Sequence, residues 1–148
     1  MTLTLEQNKL LDVFCKTVCD KPKIRFCGII NSMGRIVAGS FRDNIQPLDN
    51  EEQRQMLYMQ SKLELSMKAE FNDNLGHVNY VVTFRDNVII INIPSDNQQF
   101  HILISAERIS NPQEIVNYVA QLFSKMEQEI RPPATFNLHN EDERIVSH

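Results

Sequence analysis

The 148-residue sequence contains no tryptophan, only four glycines and only three cysteines. Three thiols without regular spacing make no disulfide framework, and this agrees with a reducing compartment. Lysine and arginine total 15 against 19 acids, a net charge of −4 with no long run of either sign. There is thus no clustered basic footprint for nucleic acid or an anionic membrane. No apolar run approaches a membrane span, and Glu6 and Gln7 interrupt the start where a signal peptide needs a basic and then apolar stretch. The expectation is a cytoplasmic protein with no membrane insertion.

Catalytic patterns are missing as well. The turn at Gly34 lacks the repeated glycines and lysine of a phosphate-binding loop, and Ser32, Ser40 and Ser105 have no nucleophile-elbow context. His77, His101, His139 and His148 are isolated, so each reads as structural or solvated. Cys15 and Cys19 share a helix face, and Cys27 follows in a strand. A three-thiolate metal site is conceivable, but Cys15 shares its stripe with Leu11 and Val18, so core thiols are the simpler reading. Asp49, Glu51 and Glu52 are explained by a helix dipole rather than by acid–base chemistry. No enzyme class, cofactor or metal is implied.

What is present is a sheet with helices. In FCGIINSMGRIVAGSF, Phe26 to Phe41, two apolar runs flank Asn31-Ser32-Met33-Gly34, the pattern of a β-hairpin. Gly28 and Gly39, inside its strands, are read as points of helix contact. Before it, Thr4 and Gln7 form a capping box for a helix with Leu11, Phe14, Cys15 and Val18 on one face, ended by Pro22. After it, Asp49 and Glu52 read as a second capping box, opening a helix over 50–71. Three strands follow: Val78 to Phe84 in alternation, Val88 to Ile93 apolar on both faces, and Phe100 to Ser105. Asn111-Pro112-Gln113-Glu114 then starts a last helix, buried through Ile115, Val119, Leu122, Phe123, Met126 and Ile130. The order predicts one domain over 1–131, with a polar, loosely held tail over 132–148. The tetrapeptide FRDN occurs at Phe41 to Asn44 and Phe84 to Asn87, each at a strand end, where turn chemistry accounts for Asp-Asn.

The long helix carries apolar residues on two sides. Met56, Met59, Leu63, Met67 and Phe71 form a broad stripe, while Tyr58, Leu65 and Ala69 cluster opposite. The second cluster is either scattered surface or a contact with another chain. On the second reading, the expected interface consists of Tyr58, Lys62, Leu65 and Ala69 together with Val78, Tyr80 and Val82 of the following strand.

With GIINSMGRIVAGS in the hairpin and ISNPQEIVNYVAQL, Ile109 to Leu122, at the last helix, the chain resembles the roadblock (dynein light chain) family of the profilin-like and longin-like superfamily over about Leu5 to Ile130. The resemblance implies a three-layer α/β/α fold with a five-stranded antiparallel sheet, in the order helix, two strands, helix, three strands, helix. It also implies a non-enzymatic homodimerising scaffold, built through the long helix and the next strand, that serves small GTPases or other protein partners. The hairpin is similar to that of PAS-like or profilin-like sensory modules too, and a small-ligand sensor is therefore the rival reading. PAS domains place several short helices between strands two and three, where this chain has one uninterrupted pattern.

Overall fold

The computed structural model describes residues 3–96 and 99–130. The tail expected over 132–148 lies outside the described residues, as does the side chain of Ile130. Helix α1, Leu5–Val18, opens on the Thr4/Gln7 capping box: Gln7 N–H donates to Thr4 Oγ1 at 3.1 Å, and Thr4 N–H to Gln7 Oε1 at 2.8 Å. The hairpin is β1, Ile24–Asn31, and β2, Ile36–Phe41. Helix α2, Glu51–Lys68, is followed by a 3-10 turn, Ala69–Phe71, and a short helix α3, Asn72–Leu75. Strands β3, Val81–Phe84, β4, Val88–Pro94, and β5, Phe100–Glu107, complete the sheet, and α4 is Pro112–Ile130.

The strands are all antiparallel to their neighbours in the order β2-β1-β5-β4-β3, so β5 is central and β2 and β3 are edges. Helices α1 and α4 cover one face through Leu11, Phe14, Val18, Val116, Val119 and Met126, which pack on Cys27, Ile29, Ile91, Ile102 and Ile104. The other face carries Phe26, Ile30, Val88, Ile90 and Leu103 and is covered by α2 through Tyr58. The expected three-layer fold is present, and β4 is buried on both faces from Val88 to Ile93.

Local chemistry departs from expectation at three places. The cap of α2 is Asn50 with Gln53, not Asp49 with Glu52: Gln53 N–H donates to Asn50 Oδ1 at 2.8 Å, and Asn50 N–H to Gln53 Oε1 at 3.0 Å. Asp49, one residue outside, accepts from Arg54 at 3.2 Å instead. The helix expected over 50–71 keeps α-geometry only to Lys68; a tighter turn and a second short helix precede Gly76, whose φ of 83° ends the segment. Gly28 and Gly39 do not meet a helix. A Cβ at Gly28 would lie 2.9 Å from the Phe26 ring, and one at Gly39 would lie 2.6 Å from Ile36 Cδ1, so this cross-strand pair makes room for side chains laid over the sheet. Helix contact falls instead on Gly34, in the turn, where a Cβ would lie 3.1 Å from Met59 Cα.

At Gly34 two constraints coincide, a φ of 77° and the approach of the α2 backbone. Gly34→Ala is expected to destabilise the protein by about 1–3 kcal/mol, measured as a lower urea midpoint with an unchanged slope.

Candidate functional site

Among the described residues, no group of histidine, cysteine and carboxylate side chains is arranged to hold a metal ion. Cys15, Cys19 and Cys27 are buried core residues, at 0%, 5% and 0% exposure. Cys19 Sγ donates to the Ser40 carbonyl at 3.1 Å. Burial pushes the Cys19 thiol up to about 12 and raises that of Cys27 well above its ordinary value. Thiols so protonated are poor nucleophiles and poor ligands.

The two FRDN segments lie at the same end of the sheet, since Phe41 pairs with Phe26 and the β4 start, Val88, pairs with Glu107. Their arginines do different things. Arg42 Nη2 lies 3.1 Å from Glu107 Oε1, which Arg25 Nη1 also approaches at 3.4 Å, and Arg42 donates as well to the Pro22 carbonyl. Arg85 is exposed, and its backbone N–H closes the β3–β4 turn on Val88 O at 2.9 Å.

The two sides of α2 are exchanged relative to the expectation from sequence. Tyr58 and Leu65 are 4% and 7% exposed and face the chain's own sheet, with the Tyr58 ring stacked on Phe26 at 6.2 Å between centroids. Lys62 and Ala69 are half-buried beside them. Met56, Met59, Leu63, Met67 and Phe71, the broader stripe, are 56–61% exposed. Apolar count alone suggested that the larger stripe faces the core. The surface α2 covers is small and already filled by Phe26, Phe41 and Leu103, so three side chains, Tyr58, Ser61 and Leu65, are all it buries. In the strand part of the expected interface, β3 begins only at Val81. Tyr80 and Val82 are half-buried against the α1/α4 core, and Val78 is half-buried in the segment before β3. What β3 leaves open is its backbone edge, because among the described residues β4 is its one neighbour in the sheet.

Beside α2 lies a cavity of about 860 Å³ at the end of the sheet where β4 finishes and β5 begins. His101, on β5, lines it and is 1% exposed, with neither ring nitrogen hydrogen-bonded. Burial, and secondarily the charge of Lys62, push its pKa down to about 4, so the imidazole is neutral near pH 7. Asn92 Oδ1 on the neighbouring strand is likewise buried without a partner. Sequence reasoning passed over His101 as one isolated histidine. The available signal was its place in Phe100 to Ser105, where a polar residue interrupts an apolar strand.

The family model for DUF6659, a family of unknown function, matches residues 6–130. The chain belongs to this family. No curated protein matches it. Solved structures match closely in shape. MglB of Myxococcus xanthus gives a TM-score of 0.69 at 6% identity, over 89% of this chain and 98% of that one. The gliding protein MglB of Thermus thermophilus gives 0.69 at 9% identity, over 87% and 96%. A Roadblock/LC7 domain from Streptomyces avermitilis gives 0.64 at 11% identity, over 80% and 96%. At such identities the likeness is one of fold: this DUF6659 chain has the roadblock/LC7 architecture. No described helix is long and apolar enough to cross a membrane.

Neutral burial of His101 gives a pH dependence with a definite sign. Its folded pKa lies below the unfolded value, so the unfolded chain binds the extra proton first, and stability present above about pH 6.5 falls as pH drops towards about 4. Urea denaturation at pH 7 and pH 5 should show a loss on the order of 1–2 kcal/mol in the wild type, and a distinctly smaller one in His101→Leu.

Proposed function

We propose that this DUF6659 chain is a non-enzymatic association module that pairs with a second copy of itself, through the outer face of α2 and the open edge of β3, and then serves as a platform for a protein partner. The observation that carries this reading is the exposed row Met56, Met59, Leu63, Met67 and Phe71. Four large apolar side chains on α2, continued by Phe71 of the 3-10 turn after it, form a surface that a monomer rarely leaves to water, and methionines adapt readily to an opposing surface. The row lies on the outward side of a helix whose inward side is already engaged. Pairing β3 with its counterpart in a second copy would satisfy the unpaired backbone groups of that edge.

The architecture shared with roadblock/LC7 domains and MglB supports the module reading, and one solved MglB structure has a tetrameric arrangement. The resemblance to the roadblock family makes a small GTPase the partner class of choice, in a cytoplasmic setting that suits three unpaired thiols. This interface differs from the one expected from sequence: Tyr58 and Leu65 act within the protomer, and the methionine face is what remains for the second copy.

Light scattering coupled to size exclusion tests the assembly. Wild type is expected at twice the chain mass and Leu63→Asp at the chain mass, with the far-ultraviolet circular dichroism of wild type. Leu65→Asp, which buries a charge under α2, is expected to lose folded signal instead of yielding a folded monomer. A wild-type monomer, or a Leu63→Asp dimer, would sink the proposed interface.

A further inference from the structure

Helix α4 borders a groove that β3 fails to close. Strand β3 pairs with β4 only from Val81 opposite Asn92, so residues 77–80 run past Ile93 and Pro94 outside the ladder. Pro94 has no N–H to offer a partner there. The cavity at this end of the sheet therefore has two sides. Lys62, Leu65 and Ser66 of α2 line one of them, and Val116, Ala120 and Phe123 of α4 line the other. On the α4 side the surroundings are apolar: Ile93 and Ile102 belong to the core shared by α1 and α4, and Tyr80, Phe100 and Phe123 pack against it. The two walls are joined at one end, where the Tyr80 hydroxyl donates to Gln113 Oε1. Asn117, Ala120 and Ser124 are exposed along the α4 wall.

The α4 wall runs from Gln113 to Glu127, about 21 Å of helix at 1.5 Å per residue. An extended chain covers that distance in about six residues. What emerges at the Glu127 end is this same chain. Helix α4 continues less than one turn beyond Glu127, to Ile130, and residues 131–140 then read RPPATFNLHN. Pro132 and Pro133 cannot continue a helix. Residues 135–140 alternate polar and apolar side chains in the period of an extended strand, which sets Phe136 and Leu138 on one side. Residues 131–134 between them and the helix suffice to reverse the chain, since four residues reach about 13 Å. A segment running back along α4 brings Glu141, Asp142 and Glu143 to the start of that helix, the end that favours negative charge.

We propose that residues 135–140 turn back past Pro132-Pro133 and lie extended in the groove between α4 and residues 77–80 of their own chain, with Phe136 and Leu138 seated against Phe100, Val116 and Phe123. Seated there, the segment closes the end of the sheet that β3 leaves open and ties it to α4. The proposal holds whether or not the chain dimerises.

Chymotrypsin cuts accessible extended chain after leucine, so the rate of cleavage after Leu138 in the full chain reports the seating. Wild type should be cut at least about tenfold more slowly than a synthetic peptide of residues 131–148, because cleavage follows the released population. Ala120→Glu places a charge in the groove from an exposed wall position and should restore the peptide's rate with the thermal transition unchanged. Phe136→Ser, compared with the peptide of its own sequence, should do the same without touching the described core, and it serves as the second variant should Ala120→Glu not fold. Protection should be constant over about a hundredfold range of protein concentration, since a tethered segment meets its groove at a fixed effective concentration. Wild-type cleavage at the peptide's rate overturns the proposal. Protection that survives either folded variant overturns it equally, and protection that grows with concentration overturns it in favour of the same segment from a second copy.

Discussion

Strands β1, β4 and β5 bury apolar side chains on both faces, and each of those faces must be kept from water. That requirement organises the chain. The face carrying Cys27, Ile29, Ile91, Ile102 and Ile104 receives two helices and forms the larger core. The face carrying Phe26, Ile30, Ile90 and Leu103 receives one helix, and much of the cover is given by aromatic rings lying on the sheet, Phe26 against Phe41 at 4.7 Å and against Tyr58. The glycine pair Gly28 and Gly39 makes that possible by leaving a flat place for the Phe26 ring and Ile36.

The unequal cover shapes the candidate function. A helix packed in a two-helix layer has neighbours on its flanks, whereas among the described residues α2 is the one long helix on its side of the sheet, and it turns a methionine-rich face outward. The same arrangement leaves the end of the sheet near Pro94 incompletely closed. His101 and Asn92 sit there as buried polar groups in an otherwise apolar layer, a position where polar side chains cost stability unless something bonds them. The exposed methionine row and the cavity therefore share a helix, one on its outside and one beneath its C-terminal half. Whatever alters the seating of Leu65 and Lys62 alters both.

Similarity to MglB and to the Streptomyces domain at 6–11% identity shows how few particular residues this fold needs. Order of elements, two-sided burial of the inner strands and a long helix between the second and third strands suffice. Such features pass through large changes of sequence, because hydrophobic side chains of about the right size satisfy a layer in many combinations. Surface chemistry does not pass through in the same way, and the exposed residues are particular to this chain.

The sequence by itself determined the element order, the Thr4 and Asn111 helix starts, the hairpin turn and the doubly buried β4, because each depends on neighbours close along the chain: periodicity, caps and turn residues. It also told that α2 has two apolar sides. Only the tertiary structure decided which side faces inward, since Tyr58 and Leu65 are selected by the shape and small area left over Phe26 and Leu103, and apolar count favoured the methionines. Asn50 rather than Asp49 as the cap, and Gly34 rather than Gly28 at the helix contact, were likewise settled by where the chain enters α2 and by how close α2 comes to the turn. His101 became legible last, because an isolated histidine in a strand has no meaning until both cross-strand neighbours, Ile30 and Pro94, are known to offer it nothing.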